Sequence, residues 1–195
     1  MNNMELQSLI KEAHGNAVKH GFYDGIGQDS ASFKRQAASL IICEMAEFVE
    51  ADRQGKWFLS GNLFALEELN QKVSEANSDF NSYYDEHVKG CAEEELADIC
   101  IRCFDLLGYM DAGKDASINK SYSFAQLCVK ASAPELCYFL CLLLVSDGSP
   151  DCDDVVSVIK GVENWCQWNG VSLMLHIKAK MLYNANRPYK HGKKY

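Results

Sequence analysis

Two pairs of acidic residues carry the spacing from which chemistry can be read. Glu44 and Glu47 lie in the run Leu40-Ile41-Ile42-Cys43-Glu44-Met45-Ala46-Glu47-Phe48-Val49-Glu50, and Glu95 and Asp98 in the run from Glu93 to Leu107. Residues three apart share one face of a helix, so each pair presents two carboxylates side by side. The rest of each circumference is mostly Leu, Ile, Cys, Met, Ala, Phe and Val, the mark of a buried helix. Two ionised carboxylates about 4 Å apart repel by about 4 kcal/mol at an effective dielectric of about 20. A positive charge must offset that. We expect the pairs to face each other and hold magnesium, which prefers carboxylate oxygen and keeps sites for water and substrate phosphate.

The positive charge in the chain is concentrated at one end. The 195 residues carry a formal net charge of -8. Six of the 19 Lys and Arg lie between His176 and Tyr195, where there is no Asp or Glu; the other 13 face all 27 acidic residues in 1–175, a balance of -14. The acidic body argues against a general nucleic-acid binder, and the basic end against it suggests a local anion site. His176, Lys180 and Asn184 are spaced by four and Arg187 follows three later, making one polar stripe. Lys and Arg both suit phosphate oxygens.

These groups need helices to position them. With 48% hydrophobic residues, only three prolines and few alternating β-branched runs, the chain reads as one all-α domain. Helices are expected over about 4–20, from a Ser32 cap to about Arg53, then 63–88, 92–110, 123–131, 134–146, 150–168 and from Ser172 to about Asn186. Phe22–Ser32 and Asp111–Asn119 read as loops. Ser132 before Pro134 and Ser149 before Pro150 read as caps, and Pro188 disfavours helix at Arg187. Nine cysteines, several inside apolar runs, read as reduced core thiols of a cytoplasmic protein. No secretory leader is read, and the longest apolar run, Leu136–Val145, is too short to span a bilayer. It suits a core or a subunit interface.

Glu44-x-x-Glu47 followed by Glu95-x-x-Asp98 resembles the signature of the MazG-like family of all-helical nucleoside triphosphate pyrophosphohydrolases, related to the all-α dimeric dUTPases. The approach Lys19-His20-Gly21-Phe22-Tyr23-Asp24 is similar as well. So are the endings Lys180-Met181-Leu182-Tyr183-Asn184-Ala185-Asn186-Arg187-Pro188 and Lys190-His191-Gly192-Lys193-Lys194. The likeness covers about 1–57, 92–110 and 170–195, and leaves about 63–90 and 113–168 as insertions.

The resemblance implies an all-α bundle that cleaves a nucleoside triphosphate between its α- and β-phosphates. The products are the monophosphate and pyrophosphate. It implies Mg²⁺, with Mn²⁺ able to substitute, and a homodimer or dimer of dimers with no membrane or nucleic-acid partner. Glu44, Glu47, Glu95 and Asp98 are then the metal ligands, with Glu47 or Glu44 also acting on the attacking water; spacing does not separate base from ligand. Lys180, Asn184, Arg187, Lys190 and Lys193 would hold phosphates. Trp57, Phe58 and Tyr183 are the residues offered for stacking on a base.

Blander readings stand beside these. Glu-x-x-Glu on a helix is often a solvated face, and the basic end can be a solvated tail. Glu50, Glu93, Glu94 and Asp105 are expected to be solvated or to serve a helix dipole. Cys100-x-x-Cys103 lacks the second pair of a zinc site, and His14, His20, His87 and His176 lack metal-binding companions. A di-iron or di-manganese oxidoreductase would need Glu-x-x-His, which neither acidic motif supplies. A helical protein that binds a nucleotide or partner without turnover remains the alternative.

Overall fold

The computed structural model describes residues 1–25, 30–58, 63–76, 78–110, 128–145 and 148–189. Among them are eight helices and no strand: α1 (Asn3–Lys19), α2 (Ser30–Arg53), α3 (Leu63–Glu75), α4 (Phe80–His87), α5 (Ala92–Tyr109), α6 (Ala133–Val145), α7 (Cys152–Asn169) and α8 (Leu173–Ala185). The described residues are therefore all-α. None of these helices is long and apolar enough to cross a membrane. The loop expected at 111–119 and most of the helix expected at 123–131 lie outside the described residues.

Helix α5 is the axis of the bundle and packs against α1, α2, α7 and α8. From Ala92 to Leu107 it is buried all round except for a stripe of Asp98, Ile101, Arg102 and Asp105. That three-and-four spacing is one helical face, and it opens onto a cleft. The core beneath joins Leu9 and Ile10 of α1, Ile41 and Phe48 of α2, Leu96 and Phe104 of α5, Leu136 and Leu140 of α6, and Val155 and Val162 of α7. The stretch read as an insertion at 113–168 thus supplies two helices to the central core. A second cluster sets Leu69 of α3 and Phe80 and Tyr84 of α4 against Ala179 and Tyr183 of α8.

Local chemistry explains the ends. Asn2 caps α1 by accepting the Glu5 N–H, and Asp151 caps α7 in a reciprocal box with Asp154. The expected cap at Ser149 is therefore two residues early, because Asp151 is the better-placed acceptor. Ser32 lies inside α2, which already begins at Ser30. Ser172 does stand at the start of α8, but its side chain makes no capping bond. The single helix expected at 63–88 is two, α3 and α4, and Ala76 between them has a φ of 45°.

Close approach is written into two glycines. A Cβ on Gly108 of α5 would sit 2.4 Å from His14 Cβ of α1. One on Gly161 of α7 would sit 2.7 Å from Leu140 Cδ2 of α6. The apolar stretch of α6 divides as an amphipathic helix does: Leu136, Leu140 and Leu144 are buried, whereas Tyr138, Leu142 and Val145 are exposed. All nine cysteines are free. Burial pushes the Cys100, Cys103 and Cys166 thiols up, so these side chains behave as apolar filling.

Candidate functional site

A cleft of about 980 Å³ runs along the open stripe of α5. Its opposite walls come from α1, α2 and α8. Helices α2 and α5 run antiparallel along it. Phe33 packs on Tyr109 with ring centroids 4.3 Å apart, and further along Glu44 meets Arg102. Glu47 then meets Glu95. From Glu94 to Asp105 the floor spans about 16 Å at 1.5 Å per residue.

The four predicted carboxylates all line this cleft. Glu44, Glu47 and Glu95 offer oxygens that lie within 4.8 Å of one another. Glu44 and Glu95 are 5% and 7% exposed, whereas Glu47 is open to solvent. Asp98 stands apart from the trio, with Oδ2 2.7 Å from Lys180 Nζ. Glu44 Oε1 accepts a hydrogen bond from Arg102 Nε at 2.5 Å.

This crowding moves proton affinities. Burial, then the charges of Asp98 and Glu94, pushes the Glu95 carboxyl up to about 8, with Lys180 opposing. Burial and Asp98 likewise raise Glu44, against the pull of Arg102. Burial disfavours the ammonium of Lys180, but Asp98 and Glu94 outweigh it and raise its pKa. Two acids held above their ordinary range mark a site short of positive charge.

Glu93 and Glu94 stand in the first turn of α5, as the helix-dipole reading has it, but they are not solvated: they are 3% and 2% exposed. Glu93 Oε2 accepts the Phe58 N–H at 2.8 Å, which docks the chain after α2 onto α5. Glu94 Oε1 accepts from Lys180 Nζ at 2.5 Å and from the Tyr84 hydroxyl at 3.0 Å, and its Oε2 accepts the Gly90 N–H. The reason is their position at the start of α5, where the helix is covered on all sides. Glu50, by contrast, is exposed and pairs with Arg53 as expected of a surface acid.

The stripe His176, Lys180, Asn184 faces inward, and all three are buried. Lys180, Asn184 and Arg187 line the cleft, joined by Lys89 and Gly90 from the stretch after α4. Lys89 has no motif around it and was invisible in the sequence. Lys190 and Lys193 lie outside the described residues. His176 does not join the site: neither ring nitrogen has a hydrogen-bond partner among the described residues, and burial lowers its pKa to about 4.

Trp57, Phe58 and Tyr183 are absent from the cleft lining. Trp57 stacks on Trp165, Phe58 meets His176 edge-on, and Tyr183 stacks on Tyr84 at 4.4 Å. The aromatic rings in the cleft are Phe22, Tyr23 and Phe33. Tyr23 and Phe33 sit toward the C-terminal end of α5, where the Tyr23 hydroxyl donates to Asp105 Oδ1 at 2.6 Å and His14 Nδ1 lies 2.9 Å from the same oxygen. The run Gly21-Phe22-Tyr23 was the available signal, since a glycine turn at φ 77° presents the two rings after it. Beside it, His20 ties α1 to the end of the chain, its ring nitrogens facing the carbonyl oxygens of Asn16 and Arg187.

No protein-family model, curated protein or solved structure matches this chain. The arrangement therefore stands on its own geometry: an acidic cluster, cationic side chains and aromatic rings lining one cleft.

Proposed function

We propose that this chain hydrolyses a nucleoside triphosphate between the α- and β-phosphates, in a reaction that depends on Mg²⁺ or Mn²⁺. The observation that carries the reading is the set of groups that line one cleft. Lys180, Arg187 and Lys89 with Asn184 form the first, the four carboxylates the second, and the rings of Phe22, Tyr23 and Phe33 the last. A polyphosphate is complementary to the first, and a base to the last. The paired acidic motifs and their likeness to the pyrophosphohydrolase signature support the same reading.

The donor set suits the ion. Glu44, Glu47 and Glu95 are hard oxygen donors with oxygens within 4.8 Å of one another, and opposite ligands of magnesium stand about 4 Å apart. The raised proton affinities of Glu44 and Glu95 are those of ligands awaiting a cation. Asp98 is the fourth acid of the set, now shared with Lys180. A divalent ion, when bound, neutralises the acids and polarises the phosphoryl group.

The chain's own side chains supply the rest. Glu47 is the exposed member of the trio, so it is the one that bulk water reaches, and it takes the proton of the attacking water. Water adds to the α-phosphorus, the bridging bond to the β-phosphate breaks, and pyrophosphate leaves with its charge held by Lys180, Arg187 and Asn184. The Tyr23 and Phe33 wall holds the base, and so fixes the phosphates over the acids.

The test is a panel of common and damaged nucleoside triphosphates incubated with Mg²⁺ or Mn²⁺, with products separated by chromatography. Monophosphate and pyrophosphate, lost on chelation, are expected. Orthophosphate with diphosphate would overturn the reading. Saturable binding with no product would favour the non-catalytic alternative.

A further inference from the structure

We infer that Glu94 is a positioning residue that holds the ammonium of Lys180 in the cleft and so leaves Asp98 free for a divalent ion. The inference rests on the reading of the acidic cluster as a cation site. Glu94 sits four residues before Asp98, one turn away on the same face of α5. Lys180 reaches between them from α8, 2.5 Å from Glu94 Oε1 and 2.7 Å from Asp98 Oδ2. One buried ammonium is thus shared by two carboxylates on successive turns.

The two carboxylates differ in what else holds them. Glu94 also takes the Tyr84 hydroxyl and the Gly90 N–H. Tyr84 is itself wholly buried and stacked on Tyr183. A carboxylate with donors on both oxygens is fixed in place. Among the described residues Asp98 has only Lys180 as a donor, and it lines the cleft as Glu94 does. Without Glu94 the buried ammonium has Asp98 as its one carboxylate partner among the described residues, and there it competes with any dication for the same oxygen. With Glu94 it has a second seat. Asp98 can turn to the ion while Lys180 stays on Glu94, a fixed positive charge lining the cleft. The stretch 80–90, which carries Tyr84 and Gly90, is by this account part of the site's support.

The test is Mn²⁺ affinity, read from the electron paramagnetic resonance of free Mn²⁺ at one pH, for the full chain and for E94Q, K180M and the double variant. E94Q is expected to weaken Mn²⁺ binding about tenfold, because Lys180 then rests on Asp98 alone. K180M is expected to bind at least as tightly as the wild type. On the K180M background, E94Q should cost less than about twofold. Equal affinity in E94Q and wild type would overturn the inference, as would an undiminished loss on the K180M background or no Mn²⁺ binding by the wild type. Should E94Q fail to fold, Glu94→Asp keeps the charge but withdraws it from Lys180, and the same pattern is required of it. The expected affinities without nucleotide hydrolysis would keep this inference and remove the pyrophosphohydrolase reading. Hydrolysis with wild-type affinity in E94Q would do the reverse.

Discussion

Arg102 Nε donates to Glu44 Oε1 at 2.5 Å across the seam between α5 and α2, joining the two helices that carry the acidic motifs. The Glu44 side chain is 7% exposed and that of Arg102 32%. The pair is thus asymmetric. The acid is the one that cannot reach water, and the arginine is its counter-charge from the cleft side.

Removing the arginine alone should therefore cost more than removing both. Arg102→Met leaves Glu44 buried without its partner, and a loss of about 2 kcal/mol in urea unfolding is expected. In the R102M/E44Q double variant most of that loss should return. Equal losses in the two proteins would show that Arg102 acts through packing alone.

Glu95 links ion binding to pH. Its carboxyl is pushed up to about 8, so the metal-free protein holds a proton there at neutral pH. Because the folded value lies above the unfolded one of 4.5, stability from this group is complete below pH 4.5 and is lost as pH rises through about 8. A ligand carboxylate must be ionised, so dication binding should release a proton and weaken about tenfold per unit below that pH. Calorimetry in two buffers of different ionisation enthalpy measures the release. Glu95→Gln should diminish it by the proton that Glu95 holds and reduce affinity and turnover by about 100-fold.

His176 gives the opposite sign. Its folded pKa is lowered to about 4 from the ordinary 6.5 because the ring is buried, with no hydrogen-bond partner among the described residues. Above pH 6.5 it is neutral folded or unfolded and contributes nothing. As pH falls below 6.5 the unfolded chain takes up a proton that the folded one refuses, so stability drops by about 2 kcal/mol at pH 5. His176→Leu should flatten that part of the pH profile in chemical denaturation. A profile as steep as wild type would show that the imidazole does not refuse the proton.

Two glycines in helices should respond oppositely to alanine. In either helix alanine gains about 1 kcal/mol of propensity. At Gly15 nothing lies within 4 Å of the new Cβ, so Gly15→Ala should raise stability by close to that amount. At Gly108 the Cβ would meet His14 Cβ at 2.4 Å, and both helices are packed, so overpacking of about 1–3 kcal/mol prevails. Gly108→Ala should lower the melting temperature and loosen the His14–Asp105 contact, visible as a shift of the His14 ring resonances.

The periodicity of the sequence by itself determined a good deal. Three-residue spacing placed Glu44 with Glu47 and Glu95 with Asp98 on shared faces, and the near absence of proline and alternating runs determined an all-α chain. Four-residue spacing placed Lys180 and Asn184 on one stripe, because helical phase is a local property of the backbone. What lies across from a face is not local. Tertiary structure alone decided that the His176–Asn184 stripe turns inward, and that Glu94 is buried on Lys180 although it reads as one more surface acid in Glu93-Glu94-Glu95. It likewise decided that Phe22, Tyr23 and Phe33 line the cleft while Trp57, Phe58 and Tyr183 brace the helices behind it. Aromatic rings and carboxylates serve core, network or site equally well by composition. Only the register of α2 against α5, and of α8 against both, assigns each to its place.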